Sequence, residues 1–300
     1  MSTATLKRLT RTELFKLRTT NIWVLFFAAS VITSVINLIV NIFNAHSLLK
    51  PFNDYVTLRT HGHYHGVAVP ADLKARMLGD WTAGHSAVTQ ASAIYTSGQL
   101  IGLLLACLLG IVVVTSEFQQ LTATSTFLTT PRRGDVIRGK LVAAVILGAA
   151  AWVISSVICV VAGAVFLHFE GHGAQLSHGI VLRSLILNLV AYLLWAVVGV
   201  GFGALLRNQL VATISATVVY LVGAGAASAI FDLLNTYVIK QNWILSVQTI
   251  VPSVASTVMI SATKPFDQSP ASWVGALVLI GYAVLFGTWG LRKLNRTDIG

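Results

Sequence analysis

Three stretches of the sequence space their side chains as chemistry would. His61-Gly62-His63-Tyr64-His65 places imidazoles at alternate positions, so an extended chain presents them on one side, as a zinc or copper ligand set requires. Neither a cysteine nor an evident fourth ligand accompanies them. His61, His63 and His65 are thus a candidate metal site, but a solvated and pH-sensitive loop is the preferred reading. Gly134-Asp135-Val136-Ile137-Arg138-Gly139-Lys140-Leu141 falls one residue short of a phosphate-binding loop. Leu141 stands where a Ser or Thr would hold the metal, and no strand precedes the segment, so it is rejected as a nucleotide site. The third is a stripe of Ser30, Thr33, Ser34, Asn37, Asn41 and Asn44, spaced by three or four residues on one helix face. With no serine elbow, HExxH or paired carboxylates, the chain is expected to be no enzyme and to bind no cofactor itself.

The elements that position these residues follow from composition. The chain has 300 residues, 55% apolar and 10% charged, with mean hydropathy +0.78. A soluble domain carries about 25% charge, so the polar surface here is too small to coat a water-facing globule. The expectation is a single all-α integral membrane domain over residues 1–300. A spanning helix needs about 20 mostly apolar residues. Six stretches qualify: roughly 21–43, 93–115, 141–169, 181–206, 211–234 and 273–291. The first lacks a small-x-small cleavage site and reads as an uncleaved span. Residues 243–261, interrupted by Pro252, read as an outside re-entrant pair of helices rather than a seventh span. Residues 44–92 then form a long outside loop and 116–140 the main inside loop. Cys107 and Cys159 each sit inside an apolar run and form no disulfide framework.

Charge sets the expected orientation. Of the 20 Lys and Arg, thirteen fall in the segments that share a side with the N-terminus: five before residue 20, four between 132 and 140, Arg207, and three near the C-terminus. Positively charged loops stay cytoplasmic, which puts both termini inside. The net charge of +10 is then assigned to orientation and anionic lipid rather than to nucleic acid.

Residues 3–20 predict an amphipathic interfacial helix, with Leu6, Leu9, Leu14 and Leu17 within one arc and Lys7, Arg8, Arg11 and Arg18 opposite. Glu13 falls inside the apolar arc and requires a partner. The stripe on the first span must face other helices or a wet cavity, because polar groups facing lipid are costly. Thr33, Asn37 and Asn41 are its candidates for lining a path. Gly98-x-x-x-Gly102, Gly199-x-x-x-Gly203 and the small residues Gly223, Gly225 and Ser228 suggest close helix packing. No ionisable residue lies near the middle of a span. Ion-coupled carriers use such groups, or helices broken at mid-depth, so the chain carries no evident means of energising transport alone.

The stretch Thr115-Ser116-Glu117 through Leu128-Thr129-Thr130-Pro131-Arg132-Arg133-Gly134, running on to Lys140, resembles the loop after the second span of ABC-2 type transporter permeases, in particular actinobacterial ones. The shared pattern is an acidic residue leaving the span, a Thr-rich short helix, Leu-x-x-Pro-Arg-Arg, and a Lys opening the third span. Glu13-Leu14-Phe15-Lys16-Leu17-Arg18 is similar to the family's elbow helix, where Glu13, Lys16 and Arg18 are the residues carried over. The resemblance implies a permease subunit of an ATP-driven exporter in the bacterial plasma membrane. Its partners would be two copies of a separate ATPase, which uses ATP and Mg, and a second permease subunit, identical or not. Residues 116–140 would be the coupling loop, with Glu117, Leu121, Phe127, Leu128, Arg132 and Arg133 as ATPase contacts. The alternatives are an ion-coupled secondary transporter or channel, and a membrane enzyme or metal-handling protein built on the His loop.

Overall fold

A computed structural model describes residues 3–60, 69–119, 133–239, 243–266 and 268–296. The elements are α1 (Thr3–Thr19), α2 (Ile22–Leu48), α3 (Phe52–Arg59), α4 (Ala71–Gly84), α5 (Ala87–Tyr95), α6 (Gln99–Gln119), α7 (Arg133–Phe169), α8 (Gly179–Leu206), α9 (Gln209–Leu233), α10 (Ile244–Val247), α11 (Pro252–Ile260) and α12 (Ser272–Arg296). A π-helical turn at Leu234–Ile239 follows α9, and no strand occurs among the described residues. Among the described residues, five helical stretches are long and apolar enough to cross a membrane: Ile22–Leu48, Ala87–Glu117, Gly134–Phe169, Gly179–Leu206 and Ser272–Gly290. Gln209–Tyr237 joins them only if both halves of a 41° bend between Gly223 and Gly225 count as one span. The protein is an all-helical, membrane-spanning chain.

Its outer surface is that of a body solvated by lipid. Leu25 and Phe43 on α2 are each 71% exposed, and Ile32, Ile36 and Ile39 line up between them. In water, leaving such side chains exposed would forgo roughly 1.5–3 kcal/mol of burial each; acyl chains remove that penalty. Helix α8 is the hub, packed by α6, α7 and α12. Glycines allow that packing. A Cβ on Gly199 would stand 2.0 Å from the Cys107 carbonyl oxygen, and one on Gly110 would stand 2.2 Å from that of Ala196. The expected close packing of Gly102 and Gly199 is therefore an α6–α8 seam. Gly223 and Gly225 do otherwise: no atom approaches a Cβ there closer than Val251 Cγ1 at 3.5 Å, and α9 bends instead.

Three expectations are corrected. Residues 44–92 are not one long loop: α2 runs on to Leu48, and α3 and α4 form a small cap. Phe52 meets the Trp81 ring edge-on at 5.7 Å, and Trp81 Nε1 donates to the Lys50 carbonyl at 2.9 Å. The second apolar stretch starts at Ala87, not 93, and is broken at Thr96–Gly98 between α5 and α6. The leucine arc of α1 does not simply float in the interface. Leu17 is buried against Val113, Ile137 and Ala144, and Gly139 lets Leu9 approach to within 3.0 Å of where its Cβ would be. Residues 243–261 are short helices interrupted at Pro252, which opens α11 as its first residue, as a proline without an N–H can.

Candidate functional site

Two polar sites occupy the two ends of α6. At the α1 end, four charged side chains from three elements converge. Glu13 fell on the apolar arc of α1 because it reaches inward: Lys140 Nζ on α7 lies 2.8 Å from Glu13 Oε2 and 3.1 Å from Glu117 Oε1 at the end of α6. Lys16 Nζ lies 2.7 Å from the same Glu117 oxygen and 3.2 Å from Glu13 Oε1. Lys140 also donates to the Val113 carbonyl at 3.0 Å, a group near the last turn of α6. Glu13, Glu117 and Lys140 are buried, whereas the Lys16 side chain is 40% exposed. Two carboxylates and two ammonium groups cancel, which is the condition for keeping charge out of water. Burial by itself would lower the Lys16 pKa, but the Glu117 hydrogen bond and the Glu13 and Glu117 charges outweigh it, and the net shift is upward. A raised pKa means that the stabilisation from Lys16 is intact at neutral pH and is lost only in alkali.

This cluster holds both stems of the 120–132 segment to the N-terminal helix. Glu117 lies three residues before that segment and Lys140 eight after it. Sequence reasoning assigned Glu117 to an ATPase contact; the structure places it, buried, in ion pairs with Lys16 and Lys140. Lys16 and Glu13 are drawn into the same cluster, while Arg18 is exposed and lends its carbonyl to Trp23 Nε1 at 3.2 Å. Leu121, Phe127, Leu128 and Arg132, with the side chain of Arg133, lie outside the described residues. So do His61, His63 and His65, and no group of three potential metal ligands occurs among the described residues. Gly134–Lys140 is helical.

At the other end of α6, about 27 Å away at 1.5 Å per residue, the chain surrounds an uncharged polar cavity of about 220 Å³. Asn37 and Asn41 from α2, Ser92 from α5, Thr96 and Gln99 at the helix break, and Thr263 after α11 all line it. The polar stripe of α2 is divided by depth. Ser34 is buried and hydrogen-bonded to Ser155 of α7 at 2.9 Å, and Thr33 folds back onto the Ala29 carbonyl at 2.7 Å. Asn37 and Asn41 each donate one amide N–H to a carbonyl four residues back, at 2.8 and 2.9 Å. Asn44 accepts from Arg59 at 3.0 Å. Only Asn37 and Asn41 of the expected lining residues face the cavity; Thr33 does not line it.

The turn at Thr96–Gly98 that borders the cavity is surrounded by contacts from α2, α7 and α8. The Thr96 hydroxyl bonds back to the Ser92 carbonyl at 2.8 Å, alongside the Thr96 N–H, which makes the ordinary helical bond to the same carbonyl at 3.2 Å. The next residue, Ser97, bonds Cys159 Sγ on α7 at 3.3 Å. The Gly98 carbonyl accepts from the Tyr192 hydroxyl at 3.2 Å, and a side chain at Gly98 would collide with Ser155 and Ser34. Sequence reasoning missed Ser92, Thr96, Ser97 and Gln99. Their signal was the polar run Thr96-Ser97-Gly98-Gln99 beside an apolar one, read there as part of an unbroken span. A wider cavity of about 760 Å³ adjoins the first and shares Thr89, Ala93 and Thr263 with it. No protein-family model matches the sequence, and no curated protein matches it either.

Proposed function

We propose that the chain is the membrane subunit of an ABC-2 type exporter, driven by a separate ATPase. The observation that carries this reading is the four-charge cluster of Glu13, Lys16, Glu117 and Lys140. It ties an N-terminal elbow helix to both stems of the segment 120–132, so a force applied to that segment is passed to α1, α6 and α7 together. In this reading six spans cross the bacterial plasma membrane, the bent Gln209–Tyr237 stretch being the fifth, with both termini cytoplasmic. The short helices flanking Pro252 re-enter from the outside, and two permease subunits enclose the path. Leu121, Phe127 and Leu128 fill an apolar groove on the ATPase, and Arg132 and Arg133 flank it.

Leu128→Asp tests the reading. Truncating a well-buried interface anchor costs about 2 kcal/mol or more, roughly a thirtyfold loss of affinity. Co-purification of the partner ATPase and substrate-stimulated hydrolysis should fall accordingly, at unchanged membrane levels of the permease. Full retention of both defeats the assignment.

One observation favours the second reading, an ion-coupled carrier or channel: the helix break at Thr96–Gly98 beside a polar cavity, a device that secondary transporters use. The lining of that cavity contains no carboxylate, lysine or histidine to hold or relay an ion. Uptake or efflux by the reconstituted chain alone, driven by an ion gradient without ATPase, would establish the second reading over the first.

A further inference from the structure

We infer that the cavity at the α5–α6 break is a binding site for the uncharged, hydroxyl- or amide-rich end of an amphipathic molecule. The inference rests on the transport reading above in one respect only, that the ligand is the cargo. The narrow cavity is lined by Asn, Ser, Thr and Gln side chains, with Leu100 and two alanines as its apolar atoms. Such a lining offers donors and acceptors at every turn but no counter-ion, so an entering charge would be desolvated without a partner. An aromatic or acyl group would strand the same polar atoms. Gln99 Oε1 is already buried without a hydrogen-bond partner, an acceptor waiting for a donor. Asn37 and Asn41 spend one amide N–H each on their own helix, which fixes the side chains and leaves the second N–H of each amide directed elsewhere.

Size decides how much of a ligand enters. About 220 Å³ is below the roughly 300–1,000 Å³ of pockets that enclose a drug-sized molecule. One end group therefore fits, and the rest must extend into the adjoining 760 Å³ cavity. That second space has a different chemistry. Leu48, Leu73, Met77 and Tyr55 give it apolar walls, and Arg59, Asp80 and Lys264 stand among them. A molecule that matches both spaces in sequence has a neutral polar tip and a larger, mainly apolar body. A sugar-like headgroup on a lipid tail and a free polyol share the tip chemistry.

The test uses the full chain in lipid nanodiscs, without ATPase, so that it stands or falls independently of the Leu128 experiment. Asn41→Cys supplies a reporter inside the cavity, the two native cysteines being buried. Its reaction with N-ethylmaleimide is timed in the presence of octyl glucoside, octyl glucuronide, octyltrimethylammonium or glucose, each below micelle-forming concentration. At a concentration several times its dissociation constant, octyl glucoside should slow labelling by about fivefold or more, as one plus the ratio of ligand concentration to dissociation constant, and the two charged octyl compounds should not. Slowing by glucose as well assigns the site to free polyols; slowing by octyl glucoside alone assigns it to headgroups on a tail. Adding Asn37→Leu should abolish the protection, and Thr263→Val, on a non-helical segment where folding is least at risk, should weaken it. Equal protection by the charged heads, or none by any of the four compounds, overturns the inference.

Discussion

The two ends of α6 solve the problem of polarity inside a membrane protein in opposite ways. Near Glu117, full charges are buried, and each meets an opposite charge within 3.2 Å. Near Gln99, the cavity lining among the described residues carries no charge, and hydroxyl and amide groups face the cavity. Carboxylates and ammonium groups that neutralise one another hold helices in register. An open set of neutral groups contributes little to holding the helices and leaves capacity for a ligand. Stability should therefore reside in the first region and selectivity in the second.

The largest effect that would break this contrast is at Lys140. Lys140→Met removes the buried one of the two lysines that Glu13 and Glu117 share, and breaking a buried pair costs about 3–5 kcal/mol. Thermal unfolding of the purified chain should shift strongly downward, with poor recovery from the membrane. A near-wild-type melting curve would show the cluster to be dispensable. Lys16→Met should cost less, about 1 kcal/mol, because its side chain is 40% exposed and solvent screens such pairs. The same thermal measurement ranks the two variants, and the reverse order would refute the assignment of Lys140 as the hub.

Smaller still is Ser34→Ala, which deletes the α2–α7 hydrogen bond to Ser155. Interhelical bonds of this kind average about 0.6 kcal/mol in membranes, so only a slight change in melting is expected. The sharpest form of the contrast is Asn37→Leu with Asn41→Leu. The bonds lost are to the same helix, so melting should move by about 0.5 kcal/mol or less, while transport with the partner ATPase should fall. Unchanged transport together with lost stability would invert the roles of the two regions.

The sequence by itself determined that the chain is helical and crosses a membrane. Apolar runs of membrane-spanning length, separated by polar and charged segments, have no other way to satisfy their backbone in lipid. It also marked Glu13 as needing a partner, since a carboxylate on a leucine arc cannot be left alone. Pro252 announced the interruption of residues 243–261, because it lacks the N–H that a continuing helix requires. What the partner of Glu13 was, only the tertiary structure decided: Lys140 lies 127 residues away, and no local spacing encodes that distance. The cavity was hidden for the same reason. Its lining comes from α2, the α5–α6 break and the chain beyond α11, three regions whose polar residues are unremarkable one at a time. The break itself depends on Cys159, Ser155 and Tyr192 reaching Ser97 and Gly98 from other helices. Periodicity records which face of a helix is polar; which polar faces meet, and whether they pair or stay open, is fixed by packing.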